Sequence, residues 1–400
     1  MGIGVLSNTE IITLITDRKI IGSNVKSLDA DELDESSLDL RLSTIYYSFK
    51  EGQSLSIRHA GVKVASLKDV CSLEENVIGE DGLTLKPREV YLFKLEEQLD
   101  LPAEISAKAS GKSSIGRLDI MTRLLTDDSR QYDIVGAGYK GELFLEVISQ
   151  IFPIVVRKGD SLNQLRFYRG PQVAPLVTRH NIKYFDDDFW YEYREDCFRG
   201  SKELLKSEDF SGPFYDPSLD PRYFDLRVEL DQSFPIYRAK KKEDIDKANV
   251  TIDIRNGKQN QIPWETCWEQ VKVSTKNNTQ FVDLDEDNFY IMRSKERLYL
   301  PKDICVDALA ISETLGDIRI HYAGFAHPTF GRKRKDDKKG TPLVFEVRSN
   351  NLARTRLFDG AVLAKILFLC MSGDVETKDQ EDERFHNQEL QLSTYFTKVP

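Results

Sequence analysis

The run Gly111-Lys-Ser-Ser-Ile-Gly-Arg117 places two hydroxyls, a lysine and an arginine between two glycines. Glycine lets a backbone approach an anion closely, and the hydroxyls of Ser113 and Ser114 with the ammonium of Lys112 are donors suited to phosphate oxygens. The GxxxxGK[ST] spacing of a P-loop is absent and no helix clearly follows, so any phosphate bound here is held by a local turn. A polar turn between two strands explains the same residues. Two glutamates, Glu146 and Glu346, each sit in the middle of an otherwise apolar stretch, Leu143 to Ser149 and Leu343 to Ser349. An acid in such a position is costly unless it is paired, which makes both candidates for proton transfer, or else for an ion pair across a domain interface.

The two glutamates are copies of one another. Leu101-Pro-Ala-Glu-Ile-Ser recurs as Leu300-Pro-Lys-Asp-Ile-Cys at an offset of 199, and the offset drifts by only a residue or two through both glutamates to the glycine turns at Gly159 and Gly360. Upstream, Ser37-Leu-Asp-Leu-Arg41 finds its counterpart in Thr251-Ile-Asp-Ile-Arg255. A 400-residue chain exceeds what one core usually serves, and the repeat locates the division. Residues 1–172 form a first domain carrying the phosphate turn, 173–227 a connector rich in Asp, Tyr, Phe and Arg, 228–372 a second domain, and 373–400 an acidic, mobile tail.

The elements that must position these groups are mostly strands. Apart from a short helix over Thr9–Arg18, the signals are short β-branched or aromatic runs bounded by Gly, Asp and Pro, including Leu38–Tyr47, Val90–Leu95, Leu143–Ile148, Pro153–Val156 and Leu165–Tyr168. Such a pattern fits a sandwich, jelly roll or barrel. The net charge of −10 argues against wholesale nucleic-acid binding. No apolar run is long enough to span a bilayer, and no basic segment leads into an apolar stretch at the N-terminus, so a cytoplasmic location is expected. Five widely spaced cysteines fit a reducing compartment and form no zinc pair. Trp190, Trp264 and Trp268 read as packing anchors, the histidines at 59, 180, 321 and 386 show no ligand spacing, and the basic run Arg332–Lys339 reads as a solvated hairpin tip.

The phosphate turn, the run Ala137-Gly-Tyr-Lys-Gly-Glu-Leu-Phe-Leu-Glu146 and the run Arg157-Lys-Gly-Asp-Ser-Leu-Asn-Gln-Leu165 together resemble the 2′-deoxycytidine 5′-triphosphate (dCTP) deaminases of the dUTPase-like superfamily. Tyr237-Arg-Ala-Lys240 and the tandem arrangement are similar to their long, two-domain bacterial members. The resemblance implies a tandem repeat of two distorted jelly rolls with few short helices. It also implies homo-oligomers, trimers or higher, with a deoxynucleoside triphosphate as substrate and Mg²⁺ carried on that triphosphate. Hydrolytic deamination without catalytic zinc follows from the same likeness, and the His-x-Glu and Pro-Cys-x-x-Cys elements of zinc deaminases are indeed missing from the chain.

By resemblance a glutamate at Glu146 or Glu346 is the general base, Arg117 supports the activated water, and Gln164 lies near the phosphates. Asp39 and Arg41 match the family's early strand, where a buried pair that anchors the sheet explains them equally. The second copy's version of the phosphate turn, Ala310 to Asp317, has Ile311 in place of lysine and no arginine. The family's nucleoside loop survives only in the second copy, as Ala323-Gly-Phe-Ala-His-Pro-Thr-Phe-Gly331, with His327 where the family has aspartate; in the first copy it is rewritten over Leu125–Val135. Because the losses are complementary, a composite site is expected: Lys112, Ser113, Ser114 and Arg117 from the first repeat with Ala323, Gly324, His327 and Glu346 from the second. Glu346 is then the first choice for the base and Glu146 the reserve. Hydrolysis of dUTP, alone or combined with deamination to give dUMP, and non-catalytic nucleotide binding are the competing functions.

Overall fold

A computed structural model describes residues 3–22, 32–49, 63–64, 73–127, 129, 131–170, 198–199, 223–298, 300, 302–310, 318–320, 324–331, 341–349, 354–376 and 390–399. Ala323, most of the expected connector, the second copy's 311–317 turn and the basic run 332–339 lie outside the described residues. So do Trp190 and the four histidines at 59, 180, 321 and 386.

The chain is mostly β, with two similarly built units. Near the N-terminus Ser7 and Glu10 form a capping box on the helix Asn8–Thr16, which turns Ile11, Leu14 and Ile15 inward. In the first unit the neighbouring strands are Ile120–Thr126, Lys140–Ser149, Val90–Asp100, Leu38–Ser48, Ser161–Arg169, Ile105–Gly111 and Ile134–Val135. Their apolar residues alternate inward, as Leu38, Leu40 and Leu42 show at the start of one of them. The second unit repeats this scheme. Thr341–Ser349 lies between Phe289–Leu298 and Ile318–Ile320, while Val362–Cys370 lies between Tyr223–Arg227 and Ile304–Ala310. Glu146 and Glu346 thus occupy equivalent strands.

One sequence correspondence is overturned. Arg41 donates to Glu97 through its backbone N–H (2.8 Å) and its Nε (2.9 Å), and Arg227 donates to Glu296 in the same way at 2.8 and 2.7 Å. The counterpart of Ser37–Arg41 is therefore Tyr223-Phe-Asp-Leu-Arg227, not Thr251–Arg255. This strand falls inside the stretch assigned to the connector, so the described part of the second unit begins at 223. The Thr251 segment leaves its own unit: Ile252–Asp253 pairs in parallel with Ile154–Val155 of the first unit, and Asp253 takes both arms of Arg157 at 2.8 and 2.9 Å. Both segments carry an alternating apolar pattern ending in Asp-x-Arg, which is why the sequence alone misaligns them.

The two units are bound by buried ions. Arg166, with no exposed surface, donates to Asp307 (2.7 Å), to the carbonyls of Val306 (2.9 Å) and Ala326 (3.3 Å), and to Ser36 Oγ at 3.1 Å. Arg348 reaches back to Asp119 of the first unit, with Nε 3.0 Å from one carboxylate oxygen, and also bonds Asp287. The end of the tail is docked rather than mobile. Leu390, Leu392, Tyr395 and Phe396 are buried, and the Phe396 ring meets Phe152 and Trp268 with centroids 5.7 and 5.8 Å apart. Its sequence turns from acidic to apolar after residue 389, and that change supplies the packing surface.

Candidate active site

The strand Ile105–Gly111 ends at Lys112, whose extended backbone caps a single helical turn, Ser113–Gly116. A helical turn therefore stands where the sequence suggested none. Lys112 O accepts from the N–H groups of Ile115 and Gly116, both at 2.9 Å, and this reversal brings Ser113, Ser114 and Arg117 to one end of the sheet. The Lys112 ammonium rests on the Asp39 carboxylate. Burial pushes the Asp39 carboxyl up to about 6 against the pull of Lys112, and the charges of Asp34 and Glu32 push the same way.

The second unit closes on this turn from above. Gly324 N–H donates to Ser110 Oγ at 2.9 Å, Phe325 lies under the Arg166 guanidinium at 4.1 Å, and Arg166 holds the Ala326 carbonyl. Arg348, two residues beyond Glu346, is tied to Asp119, two residues beyond Arg117. This tie holds the Glu346 strand beside the Lys112–Arg117 turn. The contact is so close that a methyl group on Gly116 would lie 2.4 Å from Glu346 Oε2. Arg117 sits alongside: burial lowers its pKa and the Glu346 charge opposes that shift. Its Nη1 donates to the Gln391 carbonyl at 3.2 Å, while its buried Nε–H has no hydrogen-bond partner among the described residues.

A cavity of about 300 Å³ opens between the units. Lys112, Ser113, Ser114, Arg117 and Gln164 line it from the first unit, and His327, Phe330 and Glu346 from the second. Glu146, although buried, is not among the lining residues; it lies within the first unit's sheet, between Leu92 and Arg123. Gly324 stands behind the lining, against Ser110.

Several lining or bracing groups escaped the sequence reading. Asp34, Lys258, Ser393 and Thr394 line the cavity, and Ser393 Oγ donates to the Ser114 carbonyl at 2.6 Å. Lys258 and Thr394 come from segments stitched together by Gln261, which donates to the Thr394 carbonyl at 2.9 Å. Only Arg348 had a signal in the sequence: it replaces Ile148 in the strand where the two copies otherwise agree best. Among the described residues no three His, Cys, Asp or Glu side chains are grouped to hold a metal ion, and no helix is long and apolar enough to cross a membrane.

Residues 2–171 match the family model for the N-terminal domain of 2′-deoxycytidine 5′-triphosphate deaminase, and residues 222–396 match that for its C-terminal domain. The chain belongs to the two-domain dCTP deaminase family. It is 27% identical over 160 residues to a dCTP deaminase of Ignicoccus hospitalis, covering 40% of this chain and 80% of that protein. A dCTP deaminase of Pasteurella multocida is 30% identical over 161 residues (38% and 79%), and a dUMP-forming dCTP deaminase of Methanocaldococcus jannaschii 25% over 193 (45% and 90%). The crystal structure of the Agrobacterium tumefaciens dCTP deaminase superposes with a TM-score of 0.74 at 27% identity, covering 93% of this chain and all of that one.

The Gly116 contact gives a direct expectation. Gly116→Ala leaves a helical backbone that alanine prefers, yet its methyl must displace the Glu346 carboxylate. If the Glu346 carboxylate takes part in the reaction, thermal unfolding should shift little while kcat falls by roughly 100-fold. A variant with normal kcat would show that the contact is incidental.

The Asp39 carboxyl gives a second expectation. Its folded value of about 6 lies above the value of about 4 in the unfolded chain, so the folded form holds the proton more tightly. The resulting stability is complete below pH 4 and is lost as pH rises through 6. Melting curves should show native protein losing stability relative to Asp39→Asn across this window. A difference that is flat or grows with pH would contradict the shift.

Proposed function

We propose that the chain hydrolyses dCTP to dUTP and ammonia, with Glu346 as the general base, and thereby supplies dUTP for thymidine nucleotide synthesis in the cytoplasm. The observation that carries the reading is a cavity in which the cationic turn of one unit faces a buried glutamate of the other. The triphosphate is held by Lys112, Ser113 and Ser114, with Gln164 at its side. Mg²⁺ arrives as part of the substrate, since this ion keeps several waters and commonly binds through phosphates.

In this reading Glu346 takes a proton from water as the oxygen attacks C4 of cytosine, then returns it to the departing ammonia. The Arg117 Nε–H, a buried donor without a partner among the described residues, is available to the developing charge. The chain carries no His-x-Glu and Pro-Cys-x-x-Cys pair, so the sequence supplies no zinc site of the deaminase type. All of these lining residues come from one chain, so a homo-oligomer, trimer or higher, would multiply the sites.

A second reading, deamination followed by cleavage to dUMP, draws support from the dUMP-forming name of the M. jannaschii relative. Incubation with dCTP and Mg²⁺ separates the possibilities. Ammonia with dUTP is expected; ammonia with dUMP and pyrophosphate would favour the combined activity, and no ammonia would overturn both.

A further inference from the structure

The two units meet at residues that are counterparts of one another. Lys108 and Asp307 stand at the offset of 199 that links Leu101-Pro102 to Leu300-Pro301, and Lys108 Nζ lies 3.2 Å from Asp307 Oδ2. Arg88 and Asp287 share that offset and form a second ion pair. Their equivalence shows in the local structure. The Lys86 and Asp285 N–H groups each donate to a tyrosine hydroxyl five residues on, Tyr91 at 3.2 Å and Tyr290 at 2.7 Å. Arg88 and Asp287 both take positive φ, 66° and 49°. A residue meets its own counterpart only near the axis that relates two similar bodies, so both ion pairs lie beside that axis.

Near such an axis, pairing of like units would set each residue against itself. Two first units would bring Lys108 to Lys108 and Arg88 to Arg88, and two second units would bring aspartate to aspartate at both places. The strand register sharpens the contrast. Lys108 lies opposite Arg166 and Asp307 opposite Leu367, so Leu367 holds the place of Arg166. In a pair of first units Arg166 would meet a lysine, and in a pair of second units the buried Asp307 would meet a leucine. Opposed like charges and a buried carboxylate facing an apolar group both disfavour an interface strongly. The unlike pair instead gives Asp307 the cations Arg166 and Lys108, and gives Asp287 the cations Arg88 and Arg348.

We propose that these positions form a charge code by which the cationic pairing face of the first unit accepts the acidic face of the second and rejects its own kind. The partner that fits the face carrying Asp287 and Asp307 is a first unit, and that pairing sets the Lys112–Arg117 turn beside Glu346. The inference concerns how the halves recognise each other and holds whatever reaction the cavity performs.

The test uses the full-length chain and compares asparagine with aspartate, which share a shape and tolerate positive φ but differ in charge. Urea midpoints are measured for Arg88→Asn, Arg88→Asp and the exchange Arg88→Asp with Asp287→Arg. These side chains are 55% and 57% exposed, so the replacements leave the core intact. Arg88→Asn should lower the folded-to-unfolded ratio by at most about fivefold, and Arg88→Asp should lower it by roughly a further fivefold. The exchange should recover most of the loss, with Arg348 still held by Asp119. In about 1 M salt, where charges are screened beyond roughly 3 Å, the gap between Arg88→Asn and Arg88→Asp should close. At the more buried contact the gap between Lys108→Asn and Lys108→Asp should widen to roughly 100-fold. Aspartate no worse than asparagine at both positions, or an exchange no better than Arg88→Asp alone, would overturn the proposal. Should Lys108→Asp fail to fold, the Arg88 series decides by itself.

Discussion

Glu346→Gln should lower kcat for dCTP deamination by roughly 10²- to 10⁴-fold, the usual worth of a positioned general base, with little change in KM. The amide keeps the shape of the side chain in its tight place against Gly116 but cannot accept the proton of the attacking water. Glu146→Gln is the matched control. It makes the same change in the equivalent strand of the other unit, away from the cavity lining, and should leave kcat near the native value. The pair isolates chemistry from fold, since both glutamates are buried. The reverse pattern, with loss only in Glu146→Gln, would move the site to the first unit.

Arg166→Met should produce the largest loss of stability, about 3–5 kcal/mol, the cost of breaking a buried ion pair from one side. Asp307 would then stay buried with Lys108 at 3.2 Å and the Tyr168 hydroxyl at 2.9 Å but without the guanidinium. The same guanidinium joins Ser36 of the first unit to Ala326, next to His327, in the second. Any folded fraction should therefore also bind dCTP more weakly. Combining Arg166→Met with Asp307→Asn should recover part of the stability, because no uncompensated charge remains. Denaturant midpoints measure this directly. A cost below 1 kcal/mol for Arg166→Met would mean that the interface is held by its apolar contacts instead.

The sequence makes the glutamate strands legible because the two copies preserve period and length there, and Lys112 to Arg117 is legible because glycines, hydroxyls and cations rarely crowd so closely without reason. The composite character of the site follows from complementary losses: one copy lacks cations in its turn, the other lacks the Ala-Gly loop. Asp34 and Lys258 are a different matter. They stand outside the recurring strands, and the long-range pairings that bring them to the cavity leave no local period. The Thr251–Arg255 misalignment has a related cause, since alternation identifies a strand but not its neighbour. The docked end of the tail was hidden by the acidic residues before it, although Leu390, Leu392, Tyr395 and Phe396 carry the apolar surface that packs it.

The most direct test of the account is a crystal structure of the Glu346→Gln variant with dCTP and Mg²⁺. The triphosphate is expected on Lys112, Ser113 and Ser114, and the amine-bearing carbon of cytosine within about one water of residue 346. A triphosphate bound away from that turn, or a cytosine facing Glu146, would contradict it.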